Sequence, residues 1–74
     1  MTAVSDAAIR VQLNGEPVEV PDGLTLGGLL ESHGVNRRMV AVEYNGEILP
    51  RHSWDDTTIN EGDVLEVIQM VGGG

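Results

Sequence analysis

Apolar and polar residues alternate near the start of the chain with a period of two. The apolar members of this pattern are Ile9, Val11 and Leu13. Such alternation is typical of a strand with one buried face. Asn14-Gly15 follows directly and predicts a tight hairpin turn, because both residue types tolerate a positive φ. The returning strand contains Val18 and Val20, and Pro17 places it at a sheet edge because proline has no N–H for a ladder.

The apolar spacing then changes to that of a short helix, about two turns long. Its apolar positions are Leu26, Leu29 and Leu30. Thr25 is a suitable N-cap, and Gly34 suits the position just past the helix end. Gly27 and Gly28 lie in the first turn, where each costs about 1 kcal/mol relative to alanine. We therefore expect this helix to persist only by packing on a sheet.

A second hairpin follows the helix. Residues 39–44 are nearly all apolar, as expected for a strand that is covered on parts of both faces. Asn45-Gly46 then predicts another tight turn, which leads into a strand at residues 47–49. Both strands of this hairpin should belong to the same sheet as the first two.

The remainder of the chain predicts a polar connection and one more strand. Residues 51–60 are interpreted as a connecting loop, with Trp54 and Ile59 packed against the core. Residues 64–71 form the longest β-favouring run. Its period of two places Leu65 and Val67 on one face and Glu66, Ile68 and Met70 on the other.

This order of elements predicts an α+β fold of the ubiquitin-like β-grasp type. We expect a mixed sheet of four to five strands with one helix packed across one face. In that arrangement the last strand pairs with the first in the middle of the sheet.

Length and charge narrow the function. The 74 residues have room for one small domain, and the net charge of −8 disfavours nucleic acid and favours basic partner surfaces. We expect a flexible extension at residues 1–8, the domain at 9–71 and a flexible glycine tail at 72–74. No apolar run approaches the roughly 20 residues that cross a bilayer. A cytoplasmic protein, free of membranes and monomeric when unbound, is therefore expected.

Familiar catalytic and metal-binding patterns are missing from the sequence. The absence of cysteine excludes disulfides, thiolate metal sites, iron–sulfur clusters and cysteine nucleophiles. His33 is explained by the dipole at a helix C-terminus and His52 by solvent, so no metal site is predicted. Four acidic residues fall in predicted turns, where a solvated surface is expected instead of an acid–base pair. They are Asp55, Asp56, Glu61 and Asp63. We predict no catalytic residue, no bound cofactor and no enzyme activity of the chain's own.

Three glycines, Gly72, Gly73 and Gly74, follow the last predicted strand. Alone, such a run is typical of a frayed terminus. Yet a tail without side chains can enter a narrow slot, and three extended residues of about 3.3 Å each would carry the carboxylate about 10 Å beyond the fold. That carboxylate could itself be a substrate. Because an ionised carboxylate is a poor electrophile, a partner would first have to convert it to a mixed anhydride with AMP.

The chain also resembles a known family, most closely in its second half. The matching segments are residues 40–51 (VAVEYNGEILPR), Trp54 and residues 60–74 (NEGDVLEVIQMVGGG). They are similar to the ThiS family, the sulfur-carrier proteins of thiamin biosynthesis. The Gly73-Gly74 pair matches the terminal diglycine of that family. Gly27 and Gly28 depart from it, because better helix formers usually stand there.

The resemblance implies a charging cycle at the C-terminus. A ubiquitin-activating-like enzyme would adenylate Gly74 at the expense of ATP, with Gly72 and Gly73 inserted into its active site. Sulfur from a donor such as a cysteine desulfurase would then convert the terminus to a thiocarboxylate, which delivers the sulfur to thiazole synthase. The carrier itself would bind no cofactor.

Other interpretations of the same tail stay open. The small subunit of molybdopterin synthase shares the fold and the diglycine, but its last strand usually runs into a proline-containing segment before a serine-glycine-glycine end. Here Gln69-Met70-Val71 leads straight into glycine. Carriers for other sulfur pathways, a ubiquitin-like modifier that forms amides with lysines, and a plain binding module are the remaining alternatives.

A docking surface is predicted on the face of the last strand that the helix leaves uncovered. Ile68 and Met70 beside Glu66 would form an exposed apolar patch with an acidic rim. We expect this patch to dock both the activating enzyme and the sulfur-accepting synthase.

Overall fold

A mixed five-stranded sheet forms the centre of the molecule, as the computed structural model describes it for residues 8–70. The strands are β1 (Ala8–Leu13), β2 (Glu16–Pro21), β3 (Val40–Tyr44), β4 (Glu47–Ile48) and β5 (Val64–Gln69). Their order across the sheet is β2-β1-β5-β3-β4. β5 is parallel to β1, and every other neighbouring pair is antiparallel. The predicted β-grasp topology, with the last strand beside the first, is confirmed.

Both Asn-Gly hairpins are confirmed, and so is the edge position of β2. Asn14 has φ 54° and Gly15 φ 84°, while Asn45 has φ 53° and Gly46 φ 91°. Positive φ at both central residues is the turn geometry whose twist matches that of the flanking strands. The first strand begins at Ala8, one residue before the predicted alternation.

β5 ends at Gln69, and Met70 is the last residue that the structure describes. The prediction extended this strand to Val71. That residue, residues 1–7 of the proposed extension and the proposed tail at residues 72–74 lie outside the described range.

Helix α1 (Leu26–Ser32) packs across one face of the sheet, and both of its predicted ends are confirmed. The backbone N–H of Gly28 donates to Oγ1 of the N-cap Thr25 at 3.1 Å. His33 is the C-cap, and Gly34 follows it with φ 70°. This left-handed residue allows the helix to end without steric strain.

Gly27 and Gly28 have a packing reason that their low helix propensity conceals. A Cβ at Gly27 would collide with Oδ1 of Asp55, and one at Gly28 would lie 2.8 Å from a methyl group of Leu24. Arg37 donates from its two terminal nitrogens to the two carboxylate oxygens of Asp55, at 3.1 and 3.0 Å. The ion pair therefore lies directly over the first turn of α1, where only glycine leaves room for it.

The predicted loop at residues 51–60 is wrong in its first half, which forms a 3₁₀ helix at Arg51–Asp56. The physical reason is the burial of Trp54, which is 1% exposed and donates from its indole nitrogen to the carbonyl oxygen of Leu49 at 2.9 Å. A polar sequence pattern does not reveal a turn that is wound around one anchored side chain. The predicted burial of Trp54 and Ile59 is confirmed. A shorter 3₁₀ helix, Arg37–Met39, precedes β3.

The core lies between α1, the second 3₁₀ helix and the covered face of the sheet. Its buried apolar members are Val11, Val20, Leu26, Leu29, Leu30, Val40, Val42, Trp54, Ile59 and Leu65. Residues 8–70 contain no helix that is long and apolar enough to cross a membrane.

Candidate functional site

The structure describes the root of the predicted tail. β5 leads to Met70, whose backbone N–H donates to the carbonyl oxygen of Met39 at 2.8 Å, so pairing with the chain before β3 continues to the last described residue. The proposed modification site at Gly74 and the proposed insertion residues Gly72 and Gly73 lie beyond it. Residues 71–74 thus follow a residue that is hydrogen-bonded on the β3 side, whereas the pairing of β5 with β1 is limited to Val64 and Leu65.

Two asparagines bond to β5 from opposite sides, and sequence analysis missed this role. The backbone N–H of Asn14 donates to the carbonyl of Leu65 at 2.9 Å, and its side-chain oxygen accepts from the N–H of Val67 at 2.8 Å. The backbone N–H of Asn45 donates to the carbonyl oxygen of Val64 at 2.8 Å, and the side-chain oxygen of Asn45 accepts from the N–H of Val64 at 2.9 Å. The signal was the choice of asparagine in both turns, because glycine or aspartate also suits that backbone.

Asp63, just before β5, is buried and hydrogen-bonded, so the expectation of a solvated turn residue is wrong. Its carboxylate accepts from the hydroxyl of Tyr44, from the side-chain amide of Asn45 at 3.2 Å and from the backbone N–H of Asn60 at 2.8 Å. The side chain is 9% exposed. A short turn cannot predict this burial, because two of the donors come from the distant β3–β4 hairpin.

The pKa values of this cluster follow from its hydrogen bonds. Burial alone would raise the pKa of Asp63, but the hydrogen bonds from Tyr44, Asn60 and Asn45 outweigh it and hold that pKa below its ordinary value. Burial and the hydrogen bond to Asp63 raise the pKa of Tyr44 to about 12. The cluster is thus stable as a neutral phenol and an ionised carboxylate, which together fix the start of β5 to the β3–β4 hairpin.

The predicted docking residues do share one exposed face. Ile68 and Met70 are each 43% exposed, and Glu66 is exposed beside them. All three point away from α1, because Leu65 and Val67 alternate with them toward the core. The structure therefore confirms their placement, while docking itself stays a prediction.

The strand pairing enlarges this surface beyond the three residues. Glu66 lies opposite Glu43, Ile68 opposite Ala41, and Ile48 of β4 opposite Glu43 on the other side. We call the resulting area the open-face patch. Its members are Glu43, Ile48, Val64, Glu66, Ile68 and Met70. Glu43 and Ile48 were missed by sequence analysis because only the register shows which residues of β3 and β4 lie beside β5. Val64 was also missed, although alternation along β5 places it on the same face as Glu66.

The histidines and the other acidic residues lie outside this patch. His33 lies at the C-cap of α1 and His52 is exposed, as expected for each, and His33 is exposed as well. Asp55 is exposed, as expected for a solvated surface residue, and its carboxylate also accepts from Arg37. Within residues 8–70, no group of three histidine, aspartate or glutamate side chains is arranged to hold a metal ion.

A cavity of about 620 Å³ lies on the covered side, between the end of α1 and the second half of β5. Leu13, Leu30, Val35 and Val67 contribute to its apolar lining. Among residues 8–70, His33 is the one ionisable side chain along its wall, so within that range no second ionisable group meets it there to form an acid–base pair.

Comparisons with known proteins agree with the architecture. The ThiS family model matches residues 11–74. A solved structure of the thiamine biosynthesis protein ThiS from Geobacter metallireducens superposes with a TM-score of 0.78 at 36% identity, over 89% of this chain and 100% of that one. The sulfur carrier protein ThiS of Thermus thermophilus is 41% identical over 64 residues, which are 86% of this chain and 98% of that protein.

A larger protein contains a similar segment. A thiazole synthase from Paramagnetospirillum magneticum is 39% identical over 66 residues, which are 89% of this chain. The chain spans 20% of the length of that relative.

Fold and site together define a ubiquitin-like β-grasp domain whose last strand leads into a glycine-rich end. The matched segment reaches the final glycine and covers most of the sequence. The chain belongs to the ThiS family.

Proposed function

We propose that this protein is a sulfur carrier of thiamin biosynthesis, charged at Gly74 by partner enzymes. The observation that carries the proposal is the family match over residues 11–74, which includes the terminal glycines. The chain acts as a covalently loaded co-substrate, and the catalytic groups belong to its partners.

The proposed chemistry begins at the terminal carboxylate. One of its oxygens attacks the α-phosphate of ATP in the adenylating enzyme, which forms the acyl-adenylate and releases pyrophosphate. A persulfide formed by a donor such as a cysteine desulfurase then attacks the carbonyl carbon with its outer sulfur, so the C–S bond forms, the C–O bond to AMP breaks and an acyl disulfide results. A thiol reductant then attacks the donor's sulfur in this disulfide, the S–S bond breaks, and a thiocarboxylate remains on Gly74.

Thiazole synthase is the proposed acceptor of the sulfur. The support is that proteins named thiazole synthase in two bacteria contain a segment similar to this chain, at 39% and 38% identity. A carrier and its acceptor must meet in every cycle, and a shared polypeptide would favour that encounter.

Intact-mass analysis after incubation with the adenylating enzyme, ATP and a sulfur donor tests the charging step. Exchange of oxygen for sulfur adds nearly the same mass as oxidation of one of the 3 methionines. The product is therefore treated with a thiol-selective alkylating reagent and mapped by peptide sequencing. We expect one alkylated site, at Gly74.

The matched control is the same chain with one alanine added after Gly74. This variant keeps the fold and the docking face but moves the reactive carboxylate by one residue, so it should not be charged. Equal alkylation of both chains would contradict the proposal. Amide conjugates with lysine side chains in a cell extract would instead identify a protein modifier.

The docking face is tested by Met70→Glu. A carboxylate that is buried without a partner in an interface is expected to weaken binding to both the adenylating enzyme and the synthase by about tenfold or more. Gln69→Glu is the control, because it adds the same charge to the neighbouring residue. Titration calorimetry with each enzyme measures the effect, and unchanged binding of the Met70 variant would remove this face from the proposal.

A further inference from the structure

Two glutamates of the same charge lie directly opposite each other on the open face of the sheet. Glu43 of β3 and Glu66 of β5 are a cross-strand pair, and like charges in that position destabilise a sheet. The ion pairs within residues 8–70 are Arg10–Glu19 at 3.4 Å and Arg37–Asp55 at 3.0 Å. Neither includes Glu43 or Glu66, so the fold itself does not neutralise this pair.

The neighbours of the pair on that face are apolar and exposed. Within residues 8–70 the exposed large apolar side chains are Met39 (44%), Ile48 (61%), Val64 (42%), Ile68 (43%) and Met70 (43%). By strand register and alternation Ile48, Val64, Ile68 and Met70 belong to the open-face patch, whereas Met39 lies in the 3₁₀ helix before β3 and lines the cavity on the covered side. The acidic charge thus lies inside an apolar surface, between Val64 and Ile68 along β5, and not only along its edge.

Both features are unfavourable in the free protein, and one kind of partner relieves both. A cation between the two carboxylates would remove their repulsion, and apolar groups around that cation would cover the exposed side chains. Features that destabilise the folded protein, such as a like-charge pair and exposed apolar side chains, are expected at functional sites when they occur together. The net charge of −8 adds long-range attraction for a basic surface.

We propose that the adenylating enzyme binds the open-face patch through an arginine or lysine that enters between Glu43 and Glu66. Apolar side chains of the enzyme surround this cation and cover Ile48, Ile68 and Met70. The inference rests on the carrier function proposed above and names the chemistry of the surface that recognises the carrier.

The position of the pair also sets a distance. Glu66 lies four residues before Met70, which directly follows β5, a separation of about 13 Å at the rise of an extended strand. A charge-assisted contact at Glu43 and Glu66 would fix β5 in one register against the enzyme. The point from which the chain continues toward Gly74 would then be fixed as well.

The test compares two double variants that remove the same number of charges. Glu43→Gln/Glu66→Gln removes the opposed pair, whereas Glu31→Gln/Glu47→Gln removes two exposed carboxylates elsewhere, one on α1 and one on β4. Binding of the full chain to the purified adenylating enzyme is measured by titration calorimetry. We expect the first variant to bind about tenfold more weakly than the unsubstituted chain, and the second to change by less than about threefold.

Thermal unfolding of both variants distinguishes a lost contact from a lost fold. Relief of the like-charge pair should keep or raise the melting temperature of Glu43→Gln/Glu66→Gln, so that binding falls while stability does not. A melting temperature that falls in parallel with binding would overturn the proposal. Equal weakening by the two double variants would also overturn it, since net charge alone would then explain the effect.

Charging of the unsubstituted chain, measured in the same preparation, keeps the two proposals apart. Normal charging together with unchanged binding of Glu43→Gln/Glu66→Gln overturns the docking chemistry and leaves the carrier function standing. Normal binding without any modification of Gly74 contradicts the carrier function alone. Absence of binding by the unsubstituted chain overturns both.

Discussion

The two faces of the sheet differ in how their apolar residues are used. On the covered face, Leu65 of β5 is 0% exposed and packs beneath α1, as does Val42 of β3. On the open face, Ile68 of the same strand is 43% exposed. Because adjacent residues of one strand serve these two faces, apolar character alone does not separate a core residue from a contact residue. Burial and strand register make that distinction.

Stability is therefore expected to depend on the covered face and partner binding on the open face. The hydrogen bonds of Asn14, Asn45 and Asp63 connect the two, because they fix β5, whose residues belong to both. Substitutions that separate these roles test the comparison.

The largest effect is expected for Leu65→Ala compared with Ile68→Ala. Removal of the buried side chain should lower the free energy of unfolding by about 2–5 kcal/mol through lost transfer energy and a cavity. The exposed side chain should cost less than about 1 kcal/mol. Urea unfolding followed by the fluorescence of the single tryptophan, Trp54, measures both. Equal losses would show that the open face also contributes to the core.

Asp63→Ala should cost about 1–3 kcal/mol at neutral pH, because three hydrogen-bond donors lose a buried acceptor. Its contribution depends on pH. The folded pKa of Asp63 lies below its unfolded value of about 3.9, so the stabilisation is fully present above that value and is lost as the pH falls through the folded pKa.

The acid limb of the stability curve, measured by urea unfolding between pH 2 and 7, should thus flatten in the Asp63→Ala variant. Asp56→Ala, which removes an exposed carboxylate, is the control and should keep the slope of the parent protein. If stability of the Asp63→Ala variant fell with decreasing pH as steeply as that of the unsubstituted protein, Asp63 would not be the source of this pH dependence.

The two turn asparagines should respond differently to the same substitution. Asn14→Asp keeps an oxygen that accepts from Val67 and should change stability by less than about 0.5 kcal/mol. Asn45→Asp loses the amide that donates to Asp63 and brings a second carboxylate to it, so a loss of about 1–2 kcal/mol is expected. Denaturant titration at neutral pH compares the pair. A tolerated Asn45→Asp would show that this amide does not stabilise the start of β5.

The smallest effect is expected at Gly27. Alanine there gains up to about 1 kcal/mol of helix propensity but displaces Asp55 from Arg37. That ion pair is partly exposed, so its loss costs less than about 1 kcal/mol. Gly27→Ala should therefore be nearly neutral in the parent and stabilising in an Asp55→Ala background. A double-mutant cycle measures this coupling, and the same effect in both backgrounds would contradict the steric conflict.

Local signals in the sequence predicted most of the fold. Both Asn-Gly turns, the Thr25 cap and the Gly34 stop depend on residues within one turn of each other, so their geometry follows from short-range chemistry. The 3₁₀ helix at Arg51–Asp56 could not be predicted in this way, because it is held by burial of Trp54.

The surroundings of the candidate site were predictable only in part. Alternation along one strand placed Glu66, Ile68 and Met70 on a common face. Alternation carries no information about which residues lie on neighbouring strands, so Glu43 and Ile48 were missed. The burial of Asp63 was missed for a related reason. The sequence Glu61-Gly62-Asp63 indicates a polar turn, but it does not show that Tyr44, which is distant in sequence, donates to Asp63.

The central place of β5 also has a mechanical consequence. Its hydrogen bonds to β1 and β3 run across the strand direction, while traction applied through Met70 acts along it. Such a load shears all of these bonds together instead of peeling them away one by one. The sheet is therefore expected to stay intact when a pulling force acts on the C-terminal side of this domain.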